Sequence, residues 1–121
     1  TNLQNIIAQG EGYFTEFKRN INSDLKKEIV AFANASGGSI FLGIEDDGAV
    51  CGIQITNLLI SQIQDAASEC DPPVNIEIIN HLDQVLQIHV FESSIKPHRT
   101  TSGFYLRVGA NSQKMRTDSI L

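Results

Sequence analysis

Residues 31–53 read AFANASGGSIFLGIEDDGAVCGI, and most of the fold follows from them. The first of these residues finish an amphipathic helix whose apolar stripe is Leu25, Ile29, Phe32 and Ala33, with Lys26 and Lys27 outside it. Gly37-Gly38 ends that helix, because a helix C-terminus favours a residue free to adopt positive φ. Residues 40–44, IFLGI, are apolar throughout, which predicts a strand covered on both faces. Asp46-Asp47-Gly48 is a tight turn, and residues 49–53 read as the returning strand of a hairpin.

Upstream, Leu3, Ile6 and Ile7 recur at helical spacing and Gly10 closes the helix. Tyr13, Thr15 and Phe17 alternate with Phe14, Glu16 and Lys18, a strand pattern that presents Glu16 and Lys18 on one face. Asn22 or Ser23 serves as the cap of the helix that follows. Downstream, Thr56 caps a helix carrying Leu58, Leu59, Ile63 and Ala66, which stops before Asp71-Pro72-Pro73. Residues 74–79 and 85–91 form a second hairpin around His81-Leu82-Asp83. A last strand carries Phe104, Leu106 and Val108 on one side, with Tyr105 and Arg107 on the other, off the core. The class is α+β: a mixed, mostly antiparallel sheet with about three helices packed on it.

The chain has 121 residues, 41% of them hydrophobic and 19% charged, which fits one globular domain spanning residues 1–121. No apolar run approaches the ~20 residues of a membrane span, and residues 1–12 lack the basic-then-apolar order of a signal peptide. Cys51 and Cys70 have no metal-binding spacing and read as two buried thiols of a cytoplasmic protein. The sequence starts without Met, and its last residues, Thr117-Asp-Ser-Ile-Leu, read as a helix N-terminus. The expectation is a domain excised from a longer protein.

A net charge of −5 speaks against indiscriminate coating of DNA, which phosphate neutralisation drives. The charge is uneven, however. Between Ser93 and Thr117 lie Lys96, Arg99, Arg107, Lys114 and Arg116 with no acidic residue, a segment of +5 that leaves −10 for the rest.

Gly10-Glu11-Gly12, Glu16-Phe17-Lys18, residues 31–38, residues 43–48, Gly52-Ile53, Lys96-Pro97-His98 and Arg107-Val108-Gly109 occur in this order along nearly the whole chain. In this arrangement the sequence resembles the Schlafen AlbA-type DNA-binding domain, found at the head of bacterial transcriptional regulators and in the core of Schlafen proteins. The resemblance implies a nucleic-acid-binding domain, with DNA as its partner ahead of RNA, in a homo-oligomer. It also implies a C-terminal helical or winged-helix part beyond residue 121. A competing implication is a metal-dependent endoribonuclease. In the Schlafen proteins that cleave RNA, one acidic residue lies five positions before the Glu of the EFK motif and another follows the buried strand. Here those positions are Glu11, Glu16 and, among three adjacent acids, Asp46. Hard carboxylate oxygens of this kind hold Mg²⁺ or Mn²⁺, which activate water and steady the scissile phosphate. A third possibility is a self-association module with the basic strip facing another subunit. In the binding reading no cofactor is expected.

For phosphate contact the candidates are Lys18 and Arg19 at a strand-to-helix junction, and Lys96, His98, Arg99 and Arg107 in the basic segment. Tyr105 beside Arg107 suits stacking on bases. The two groups are expected to converge on one surface. Lys26 and Lys27 are better explained as a solvated helix face. His81, His89 and His98 lack ligand spacing. No Gly-rich turn is followed by Lys and Ser or Thr, so ATP hydrolysis finds no support. Ser36, Ser39 and Ser102 lack a nucleophile motif.

Overall fold

A computed structural model describes residues 3–116. The helix expected to begin at Thr117 lies outside the described residues. The elements are α1 (Leu3–Gln9), β1 (Thr15–Lys18), α2 (Leu25–Asn34), β2 (Gly38–Leu42), α3 (Asn57–Ser68), β3 (Ile76–His81), β4 (Val85–Val90), β5 (Arg99–Thr100), β6 (Gly103–Val108) and β7 (Asn111–Lys114). β1 to β4 form one sheet in the order β1-β2-β4-β3, and β5-β6-β7 form a second. β1 runs parallel to β2, the two joined by α2, and every other pairing is antiparallel. The α+β class with a mixed, mostly antiparallel arrangement and three helices is what the chain adopts.

Every residue of β2 is buried. Its two faces feed different cores. Ile40 and Leu42 join Leu25, Ile29 and Phe32 of α2 and Leu59 and Ile63 of α3. Phe41 points the other way, to Phe17, Ile44 and Val85, with Ile6 and Ile7 of α1 packed over them. The sheet is therefore a middle layer, with α2 and α3 on one face and the short α1 on part of the other. Burying each large apolar side chain of this set contributes about 1.5–3 kcal/mol before chain entropy is counted.

The expected hairpin after β2 is not formed. Only an isolated bridge joins Ile44 to Val50, and residues 51–56 have no regular structure. Gly43 accounts for this. It has φ of 97°, and its carbonyl accepts from both Cys51 N–H and Gly52 N–H. The chain folds back over Gly43 as a loop, while β4 takes the edge of β2 that a hairpin partner would have used. Thr56 does cap α3, its Oγ1 accepting from Leu59 N–H at 3.1 Å. Before α2, Asn22 Oδ1 accepts from Asp24 N–H, and Asp24 rather than Asn22 or Ser23 is the cap residue. Gly37, at φ of 80°, closes α2 by donating to Phe32 O. The β3–β4 hairpin turns at Leu82 and Asp83, both at positive φ. Cys70 is buried as expected, but Cys51 is exposed because it lies on the loop crossing Gly43.

Candidate functional site

Arg107 faces inward, so β6 alternates in the opposite phase to the one expected. Tyr105 and Arg107 are buried, whereas Val108 is 46% exposed and Phe104 and Leu106 are half-buried. The second sheet lies on α2, where the surface that meets it is mixed rather than apolar. Phe32 offers a ring, Glu28 a carboxylate and Asn34 an amide, so long amphipathic side chains fit better than Leu or Val. The Arg107 guanidinium stacks over the Phe32 ring, 4.6 Å from its centre. Its Nη1 donates to Glu16 Oε1 at 2.8 Å, to Glu28 Oε2 at 3.3 Å and to Ser112 Oγ at 3.1 Å. Nη2 donates to the carbonyls of Gly12 (2.8 Å) and Thr15 (3.0 Å). Ser112 Oγ in turn donates to Glu28 Oε2 at 2.9 Å.

Glu11 and Glu16 do come together. Glu11 Oε2 accepts from Phe17 N–H at 2.9 Å, and its carboxyl hydrogen-bonds that of Glu16. Glu16 is pushed up to about 7 by burial first, then by the Glu11 carboxyl and the charge of Glu28, with Arg107 opposing. Asp46 does not join them. It is exposed on a turn closed by Gly48 N–H to Glu45 O, with Ala49 N–H bonded to Asp47 Oδ1. Among the described residues no three His, Cys, Asp or Glu side chains are grouped to hold a metal ion. Glu11, Glu16 and Asp46 are therefore a poor fit to Mg²⁺ or Mn²⁺: one is remote, and Glu16 already faces a fixed cation.

His98 is also structural in its contacts. It is 1% exposed, with Nδ1 on the Pro72 carbonyl and Nε2 on Ser93 Oγ. Asn34, which sequence reasoning passed over, binds this region to α2. Its amide donates to the carbonyls of His98 and Tyr105 and its Oδ1 accepts from His98 N–H. A polar residue within the otherwise apolar run of residues 29–35 was the available signal.

Lys18 and Lys96 stand at opposite ends of β2. Lys18 lies opposite Leu42 at one end of β2. Lys96 Nζ reaches the Ala35 carbonyl and Glu92 near the other end, where Gly38 pairs with Val90. At strand rise those ends are ~13 Å apart along β2. The expected convergence is not seen. Arg19 is exposed in an ion pair with Glu45, and Arg99 is exposed over the Phe104 ring. Lys26 and Lys27 are held by Glu69 and Asp24.

A feature that sequence reasoning missed lies on the α1 side of the sheet. α1 covers only part of that face, and the rest is an open groove of about 560 Å³. Ser39, Gln87, His81 and His89 line it, with Phe14 and Phe91 at its edge. The alternation of Gln87 and His89 with Leu86, Ile88 and Val90 in β4, continued by Phe91 just beyond it, was the available signal.

These features define a small α+β domain held by a buried arginine–carboxylate knot and carrying a polar groove on one sheet face. The chain belongs to the Schlafen AlbA_2 family, which matches residues 11–116. Membership associates it with nucleic-acid binding in general. No curated protein matches the chain. Among solved structures it is similar to the DIP2311 protein from Corynebacterium diphtheriae. The TM-score is 0.62 at 19% identity, over 84% of this chain and 22% of that one. At that identity the likeness concerns the fold alone. No helix among the described residues is long and apolar enough to cross a membrane.

Proposed function

We propose that this domain binds nucleic acid, DNA ahead of RNA, as the N-terminal part of a bacterial transcriptional regulator in the cytoplasm. The observation that carries the reading is the family match over residues 11–116, which takes in nearly all of the described fold. Phosphate contacts fall to the exposed Arg19, Lys96 and Arg99 and to the half-buried Lys18, with Lys18 and Arg19 at one end of β2, Lys96 near the other and Arg99 on β5 of the second sheet. Arg107 and His98 serve the framework that presents them. The Arg19–Glu45 pair is largely solvent-exposed and worth little, so a phosphate can replace Glu45 at small cost.

The reading is tested by titrating duplex and single-stranded DNA across a salt series. Lys18→Ala with Arg19→Ala should weaken binding across sequences and lower the slope of log K against log salt by about 1–2. Identical isotherms for wild type and double variant would remove these residues from the interface. The nuclease alternative is favoured by one observation, the contact between Glu11 and Glu16. RNA cleavage that needs Mn²⁺ and disappears in Glu11→Ala would promote it, and Arg107 would then have to leave Glu16.

A further inference from the structure

We infer that the groove beside α1 takes an unstacked heteroaromatic ring, a nucleobase, between Phe14 and Phe91. This deepens the nucleic-acid reading above. Gly37-Gly38 lies between the two aromatics. A Cβ on Gly38 would stand 2.8 Å from the Phe14 carbonyl, and one on Gly37 would stand 2.9 Å from Glu92 N and 3.5 Å from Phe91 C. The backbones of Phe14 and Phe91 thus flank β2 on its two sides, roughly two strand spacings or 10 Å apart. Backbones at that spacing let the two side chains approach a planar ring from either side. Both rings are open to solvent, 56% for Phe14 and 46% for Phe91. Each is braced edge-to-face by an aromatic neighbour: Tyr13 at 4.9 Å from Phe14, His89 at 4.7 Å from Phe91. Exposed, braced aromatics beside strand ends, as Phe14 and Phe91 are, serve as stacking platforms that every base satisfies with its π-face.

The groove also carries a hydrogen-bond chain that can read a base edge. His81 Nε2 bonds Gln87 Oε1 at 2.8 Å, Gln87 Nε2 donates to Ser39 Oγ at 2.8 Å, and Ser39 Oγ bonds His89 Nδ1 at 3.0 Å. Gln87 Oε1 is an acceptor, so His81 donates from Nε2 and turns Nδ1 away from the chain of contacts. The Ser39 hydroxyl accepts from Gln87 and can donate to His89 Nδ1, and in that tautomer His89 Nε2–H is a donor. Among the described residues neither outer ring nitrogen has a hydrogen-bond partner. Ser39 pairs with His89 one step from the Gly38–Val90 pair, so the His89 donor lies next to the aromatic gap. The groove's lining includes no lysine or arginine, and its Glu92 is already paired with Lys96, which suits an uncharged base inside the groove with phosphate outside it. A protein helix would favour a groove without four linked polar side chains.

The test uses the protein with short single-stranded oligonucleotides carrying 2-aminopurine, with free nucleosides, and with duplex DNA. Quenching of 2-aminopurine on wild type, with affinity lowered about tenfold or more in Phe14→Ala and Phe91→Ala, is the expected result. Gln87→Leu breaks the polar chain at similar volume and should change the preference among bases. Thermal melts establish that each variant is folded. Free nucleosides that shift the His81 and His89 ring resonances, with no oligonucleotide bound, would keep the groove as a nucleoside site and sink the nucleic-acid reading. Salt-dependent duplex binding with no base or nucleoside in the groove would overturn this inference and leave that reading standing. Quenching unchanged in all three variants, or no binding of any probe, would also overturn it.

Discussion

Arg107 Nη1 lies 2.8 Å from Glu16 Oε1, with none of the arginine side chain exposed and 17% of the glutamate's. The pair joins the two sheets, since Arg107 belongs to β6 and Glu16 to β1. It is a cation surrounded by excess acid: Glu28 and Glu11 are the further members of the cluster. Removing the guanidinium leaves those carboxylates buried and uncompensated. Arg107→Ala should cost about 3–5 kcal/mol of folding free energy. Arg107→Lys should recover little of it, because an ammonium cannot serve two carbonyls, two carboxylates and an aromatic face at once. Urea unfolding of the three proteins decides this, and a loss below about 1 kcal/mol would show the knot to be dispensable.

Glu16 gives the protein a pH-dependent stability. Its pKa is raised from an ordinary 4.5 to about 7, so between those values the folded chain holds a proton that the unfolded chain releases. The stabilisation from that proton is fully present below about pH 4.5 and is lost as pH rises through about 7. Over that window it amounts to up to roughly 3 kcal/mol. Melting temperatures of wild type should fall from pH 5 to pH 8, and those of Glu16→Gln should be flatter, with the variant at least as stable above pH 7. Parallel curves for the two proteins would assign the pH dependence to other groups.

Gly43 is the least replaceable residue of the loop behind β2. A Cβ there would stand 2.7 Å from the Gln84 carbonyl and 3.1 Å from both Gly52 C and Ile53 N, at a φ of 97° that side-chain-bearing residues avoid. All three neighbours are backbone and cannot rotate away. Gly43→Ala should destabilise by about 2–4 kcal/mol. Gly10→Ala, with nothing within 4 Å, serves as the control for positive φ without crowding and should cost about 1 kcal/mol. Equal losses at the two sites would show that crowding at Gly43 is relieved.

The two thiols should differ in reactivity. Cys51 is exposed, whereas burial pushes the Cys70 thiol up to about 11 and its Sγ–H is bonded to the Ala66 carbonyl at 3.3 Å. A thiol reagent should modify one cysteine of the native protein quickly and the second only on unfolding. Peptide mapping that finds Cys70 labelled under native conditions would show that the Cys70 environment opens.

The sequence by itself determined the elements whose signals are local. Phe41 lies in an apolar run, and Ile40 to Leu42 of that run form a strand buried on both faces, although the strand begins at Gly38 and ends before Gly43. Thr56 could satisfy a free N–H three residues on, and it does. Gly37 closed a helix because glycine tolerates that backbone cheaply, while Gly38 opened β2. Tertiary structure decided what local signals cannot rank. Residues 49–53 had the pattern of a hairpin strand, but β4 competed for the edge of β2 and won it. Alternation in β6 was read correctly as period two, yet its phase depended on the partner face. α2 offered a ring, a carboxylate and an amide, so Arg107 turned inward while Val108 turned out. Asp46 and Glu16 both carry carboxylates, but only the path of the chain between them decides whether those meet. The groove depended on how much of one sheet face the seven residues of α1 could cover. Burial is a property of pairs of surfaces, and a single chain position carries only half of that information.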